Sequence, residues 1–215
     1  MKTNIIASCS RCGEKREVPF YGGINVAEEP ELKARVKDGS LFLWECPHCG
    51  STNLLTGQTI YHDPEERLMI WLLPEGSLPE ESVRAVESSL IEAAETLEGY
   101  IFRRVESVGS LIEKVNIHDA GLEDTVIEMC KYITRMEMSQ NGSRPFTDAP
   151  LKFFSMDGPD NELTFTYPEK GQMQGIRIGF NVYEDCAGIL RRNPSVKPSG
   201  GFPRIDQDWI SRFFR

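Results

Sequence analysis

Two short cysteine pairs constrain this chain more than anything else in it. Cys9-Ser10-Arg11-Cys12-Gly13 and Cys46-Pro47-His48-Cys49-Gly50 share the form C-x2-C-G and are separated by 33 residues. A two-residue spacer lets both thiolates of a pair point at one tetrahedral ion, about 2.3 Å away. The glycine that follows accepts the positive φ of a tight turn, and Pro47 presets φ inside the second knuckle. Two such knuckles supply four soft ligands and leave no open position for water, which is the donor set of a structural zinc ion and not of a catalytic one. The expected metal ligands are therefore Cys9, Cys12, Cys46 and Cys49, holding one Zn2+. A thioredoxin-like redox motif accounts for one C-x-x-C but not for two matching ones. An iron–sulfur or rubredoxin-type iron site uses the same ligands, and the sequence leaves zinc and iron both open. His48, between two ligands, is expected to face outward as a non-ligand. The remaining cysteines, Cys130 and Cys186, each stand alone on apolar helical faces and read as buried free thiols.

The 33-residue gap must contain folded structure. Residues 5–9 read as a strand into the first knuckle, Glu14 to Val18 as the strand leaving it, and Tyr21 to Val26 as its extended continuation. Pro30 and Gly39 bracket a short helix. Leu41 to Glu45 reads as a strand delivering Cys46. A zinc ribbon with an inserted helix fits this order. Residues 53–63 and 67–73 read as a hairpin turned by His62 to Glu66. Its second run is apolar on both faces, which implies cover on both sides.

Pro74 to Pro79 is the clearest break. Ser77 and Glu80 have capping-box spacing, and Val83, Val86, Leu90, Ala94 and Leu97 form one helical stripe ended by Gly99. Tyr100 to Glu106 is a candidate strand, followed by helices over roughly 108–117 and 122–138. Gln140 to Pro150 is a polar loop. Leu151 to Ser155, Leu163 to Tyr167 and Gly175 to Phe180 read as a meander turned at Asp157-Gly158 and Lys170-Gly171. Asn181 opens a helix to about Arg192, Pro194 to Gly201 is a flexible linker, and Asp206 caps a last short helix through Phe214. The expected class is α+β: a zinc-ribbon-like antiparallel β part with an inserted short helix over 1–73, then a mixed helix and meander region over 80–215 packing on it.

The chain has 215 residues and a net charge of -9, with no basic block in either part. Nucleic-acid surfaces draw most of their affinity from dense Lys/Arg footprints, so this balance argues against such a partner. No run approaches the roughly 18 apolar residues of a membrane helix, and the apolar stretch at the N-terminus is far too short for a secretory core. The expected location is cytoplasmic, where cysteine is a thiol or a metal ligand.

Taken together, the knuckles with Ile24-Asn25-Val26, Pro30-Glu31-Leu32-Lys33, Gly39-Ser40-Leu41-Phe42 and Tyr61-His62-Asp63-Pro64 resemble the CpXC family, named for its paired Cys-Pro-x-Cys motifs. Leu111-Ile112-Glu113-Lys114, Gly121-Leu122-Glu123-Asp124 and Ile127-Glu128 resemble that family's later helical part. The resemblance covers roughly residues 5–135. It implies a metal site and a bacterial or archaeal source, and it implies no particular activity. Ser10 stands where the family name leads one to expect proline; proline there aids conformation and is not a ligand, so metal binding should survive.

No residue is assigned a catalytic role. His62 and Asp63 are the best candidates, but neighbours in an extended strand point to opposite faces, and Asp63 with Pro64 reads more simply as the hairpin turn. His118-Asp119 suits a helix C-terminus. There is no phosphate loop, nucleophile elbow or dinucleotide fingerprint. The leading expectation is a zinc-stabilised scaffold presenting a surface to a protein partner. The alternatives are an enzyme with a site between the two regions near His62 and Asp63, and a nucleic-acid-binding ribbon with Arg11, Lys15, Arg16 and Lys33 on one exposed face.

Overall fold

A computed structural model describes residues 2–94, 97–141 and 150–214. The chain is α+β and divides into two units, one of residues 1–112 with 200–203 and one of residues 113–199 with 204–215. The break expected at Pro74 to Pro79 lies inside the first unit, because the strand that follows it completes the first unit's sheet.

In the first unit, β1 (Lys2–Ser8) and β2 (Lys15–Tyr21) pair antiparallel, with Ser8 opposite Lys15 at the mouth of the first knuckle. The inserted helix is α1 (Glu31–Lys37), which buries Leu32 and Val36. Gly39 leaves it with φ 77. Residues Ser40–Phe42 are not the start of a strand but a 3-10 turn that buries Leu41 and Phe42 together. An extended strand would have pointed them to opposite faces. Only β4 (Leu43–Glu45) is extended, paired antiparallel with β5 (Thr52–Leu54) around the second knuckle.

The run read as one strand over 53–63 is two. β5 turns to the knuckle, and β6 (Thr59–Asp63) joins a four-stranded sheet. Between the two strands Gly57 packs so close to Phe20 that a Cβ there would lie 2.6 Å from the ring. The sheet order is β3-β6-β7-β8, with β3 at Gly23–Asn25, β7 at Leu68–Leu72 and β8 at Ile101–Val105. β6 and β7 form the expected antiparallel hairpin. β3 pairs parallel with β6, and β8 parallel with β7. A parallel neighbour needs a crossover, which α2 (Glu80–Ala94) provides. Val83, Val86 and Leu90 pack toward Trp71, as the stripe implied. Ser77 does not cap α2; its hydroxyl donates to the Pro74 carbonyl at 2.6 Å. Just after the stretch expected as a flexible linker, Phe202 is buried against Trp71 and Phe102.

The division between the units falls within α3 (Val108–Asp119). The second unit adds α4 (Asp124–Asn141) and the expected meander of β9 (Lys152–Asp157), β10 (Glu162–Glu169) and β11 (Gln172–Ile178). Lys170 and Gly171 turn the last hairpin with φ 50 and 76, the double positive φ of a two-residue turn matched to strand twist. α5 (Phe180–Arg192) starts after Gly179 without a side-chain cap, so Asn181 is inside the helix and does not open it. α6 (Gln207–Ser211) is capped by Asp206 as expected and stops short of Phe214. Most of the polar loop expected over 140–150 lies outside the described residues. Phe153, Leu163, Phe165, Ile127, Trp209 and Ile210 form the core of this unit. Among the described residues no helix is long and apolar enough to cross a membrane.

Candidate metal centre

Each knuckle is built from the same two main-chain bonds. Cys9 N–H donates to the Glu14 carbonyl at 2.8 Å, and Gly13 N–H to the Cys9 carbonyl at 2.9 Å. Cys46 N–H donates to the Ser51 carbonyl at 2.9 Å, and Gly50 N–H to the Cys46 carbonyl at 2.8 Å. Gly13 and Gly50 take φ 73 and 65, a conformation that costs an ordinary residue about 1–2 kcal/mol.

The two knuckles bring the four sulfurs together. The Sγ atoms of Cys9, Cys12, Cys46 and Cys49 all lie within 4.8 Å of one another. Cys9 and Cys49 sulfurs are 3.7 Å apart, and those of Cys12 and Cys46 are 3.6 Å apart. A tetrahedron with metal–sulfur bonds of about 2.3 Å has sulfur–sulfur edges of about 3.8 Å, so the cluster can hold a metal ion. Cys9 and Cys46 are buried, packed with Val18, Trp44 and Leu55.

Four thiols this close cannot all ionise independently. The Cys9 sulfur accepts the Cys12 main-chain N–H, which draws its pKa down to about 6 against the opposing effect of burial. Cys12 accepts the Glu14 N–H, which also lowers its pKa. Burial and the neighbouring thiols of Cys49, Cys9 and Cys46 outweigh that and push it up to about 12. A cation at the centre would remove this conflict, because it favours the thiolate at every ligand.

The sequence reading missed Asn53, which is buried beside the sulfurs. Its amide donates to the Cys9 sulfur at 3.6 Å and to the Ser51 carbonyl at 2.8 Å. Its Oδ1 accepts both the main-chain N–H and the hydroxyl of Ser10, at 2.8 and 2.9 Å. One side chain thus ties the two knuckles together. The available signal was an asparagine in a strand otherwise suited to apolar residues. His48 is exposed and outside the cluster, as expected.

The other candidates fare differently. Asp63 is buried with both oxygens engaged: Oδ2 faces Lys33 Nζ at 3.0 Å and accepts Tyr61 OH at 3.2 Å, and Oδ1 accepts the Glu66 N–H at 3.2 Å. It closes the turn, as the simpler reading had it. His62 points elsewhere, with Nε2 3.2 Å from Tyr100 OH. Arg11, Lys15 and Arg16 are exposed, whereas Lys33 is half-buried in its ion pair with Asp63. His118 is buried near the end of α3.

Cys130 and Cys186 are buried free thiols, as expected. Both are fully buried, in one core to which α4 and α5 both contribute. The neighbouring Cys186 thiol, with burial, pushes the Cys130 thiol up, whereas the Cys130 thiol draws Cys186 down against the opposing effect of burial.

The second unit also holds a buried charge network that the sequence reading did not identify. Glu113 Oε1 accepts Lys131 Nζ at 2.8 Å and Phe153 N–H at 2.9 Å, and Oε2 accepts Lys152 Nζ at 2.9 Å. Lys131 also donates to Glu128 at 2.6 Å. Lys114 pairs with Asp124 at 2.8 Å and donates to the Ile205 carbonyl at 2.7 Å. Burial alone would raise the Glu113 pKa, but the cations of Lys131, Lys152 and Lys114 pull it down to about 2.

A model of the family described as CpXC protein matches residues 7–131. That stretch is more than half of the chain and holds all four knuckle cysteines. No curated protein and no solved structure matches the chain.

Proposed function

We propose, for a chain that belongs to the CpXC family, that Cys9, Cys12, Cys46 and Cys49 bind one structural zinc ion, and that the metal-held ribbon is a scaffold presenting a surface to a protein partner. The observation that carries the metal reading is the closed set of four sulfurs, with spacings of 3.6 and 3.7 Å between facing pairs. Four thiolates in a tetrahedron are a soft donor set with no place for substrate or water. Support for the scaffold reading comes from the second hairpin. Leu43 and Leu54 are cross-strand partners, and both are exposed on its outer face. The buried, fully engaged Asp63 does not favour an enzyme. The net charge of -9 and the engaged Lys33 do not favour a nucleic-acid ribbon.

Elemental mass spectrometry of protein purified without added metal should give one zinc per chain, and chelation should lower the thermal melt. Cys46→Ser should unfold the ribbon, since structural zinc contributes on the order of 10–16 kcal/mol apparent in small peptides. A metal-free protein with four titratable thiols and an unchanged melt would refute the metal reading. For the scaffold, a photo-crosslinking residue at Leu43 should capture a discrete protein adduct in cells, and one at exposed Glu65 should not. Equal, diffuse labelling at both positions would refute it.

A further inference from the structure

We propose that the outer edge of β1 is a self-association surface, on which β1 of a second copy of this chain pairs antiparallel to make a continuous four-stranded sheet. The phase of the hairpin is set by the knuckle, where Cys9 N–H donates to the Glu14 carbonyl. Hydrogen-bonded pairs alternate along an antiparallel ladder. Thr3, Ile5 and Ala7 therefore bond to Phe20, Val18 and Arg16, and the main-chain groups of Lys2, Asn4, Ile6 and Ser8 turn outward. Among the described residues, β1 has no strand neighbour other than β2.

The two edges of this hairpin are not alike. The same phase turns the nitrogen of Pro19 to the outer edge of β2, where it has no N–H to offer. That edge is guarded in the way natural sheets guard their edges. β1 has no proline, glycine or bulge, and its one charge, Lys2, is at its end. Ile6, next to its centre, is 70% exposed, and Asn4 and Ser8 are exposed on either side of it.

A second copy fits this edge better than an unlike segment. Two-fold pairing about Ile5 sets Asn4 opposite Ile6, Lys2 opposite Ser8, and Ile5 opposite its own counterpart. All four outward-facing residues then find partners, in an isologous contact. The two Lys2 side chains lie about 20 Å apart at opposite ends of the ladder. The paired Ile5 side chains extend the apolar face that Ile5 and Ala7 already form over the knuckle cluster. Apart from Lys2 the strand carries no charge by which an acidic or basic peptide would be chosen. A seven-residue edge is small for an interface, so the dimer should be dynamic, half-formed on the order of tens to hundreds of micromolar.

The proposal rests on the reading of the ribbon as a metal-held scaffold, since the first knuckle fixes the phase of the strand. The test is sedimentation equilibrium of the full chain over about 5–500 micromolar, with zinc measured on the same samples. The wild type should pass from monomer to dimer. Ile6→Lys should stay monomeric with wild-type metal content and melt. Asn4→Pro should do the same, because residue 4 sits opposite Pro19 at a position that gives β2 no N–H. A zinc-loaded wild type that stays monomeric throughout overturns the proposal, whatever other segment then proves to cover the edge. So does dimerisation that both variants retain. Metal-free protein would refute the scaffold reading separately, and the edge pairing would then be decided by whether its dimer forms and is lost in Ile6→Lys.

Discussion

Glu113→Gln should destabilise the second unit by about 3 kcal/mol. Glu113 is 2% exposed, and its two oxygens accept three donors, from Lys131, Phe153 and Lys152. Glutamine keeps the size but replaces one oxygen with an NH2 that must face an ammonium or the Phe153 N–H. Removing one partner of a buried ion pair costs about 3–5 kcal/mol. The lower end applies here, because Lys131 keeps Glu128 and the Lys152 side chain is 32% exposed and can recover water. About 3 kcal/mol corresponds to a loss of about 1–2 M in the urea midpoint. Circular dichroism and tryptophan fluorescence read this directly at pH 7. The cause is tested by acid. With the folded Glu113 pKa depressed to about 2 from its ordinary 4.5, its contribution is complete above about pH 4.5 and is lost as pH falls toward 2. Wild type and variant should therefore converge between pH 5 and 2. A midpoint within about 0.3 M of wild type at pH 7, or a gap that persists at low pH, would refute the reasoning.

Asn53→Ala should weaken metal binding about 10–100-fold in competition with a chromophoric chelator, the usual cost of losing a group that orients a ligand; an unchanged affinity would mean the contacts to Cys9 and Ser10 are incidental. Gly50→Ala should cost about 1–2 kcal/mol through backbone strain alone, since the nearest atom to a new Cβ would be Glu45 Oε1 at 3.9 Å, and a neutral melt would count against the positive φ. Asp206→Ala removes the acceptor of Trp209 N–H at 2.9 Å and should cost about 0.5–2 kcal/mol, as N-caps do; loss of more than that would point to the Arg204 ion pair as the larger contribution.

What was legible in the sequence was local. The knuckles, the helix between Pro30 and Gly39, the meander turns and the Asp206 cap each depend on residues a few positions apart. The parallel pairings of β3 with β6 and of β7 with β8 depend on chain that returns from a distance, and no alternation pattern records them. At the split of the run over 53–63, Gly57 packs against Phe20, a residue far away in sequence. The charge network was hidden for a different reason. Asp124, Glu128, Lys131 and Arg135 repeat at helical spacing, and such a stripe ordinarily faces solvent. Here a second helix carrying Glu113 and Lys114 supplies opposite charges, and the stripe is buried. Both signs recurring on one face, next to an apolar stripe on the other, was the available signal.

The two units solve the same problem by different means. Among the described residues the knuckle cluster has Cys9, Val18, Trp44, Cys46 and Leu55 as its buried members, too few to hold two hairpins together by apolar burial. A metal ion held by the four sulfurs would supply what such a core lacks. Ser10 fits the same logic. Proline at that position would stiffen the knuckle by fixing φ, but it would bring neither an N–H nor a hydroxyl. Serine gives up the rigid ring and supplies both donors to Asn53, which in turn reaches the Cys9 sulfur. The departure from the family's motif therefore exchanges stiffness within one knuckle for a hydrogen-bonded tie between the two, at the place where the ligands must be kept in register.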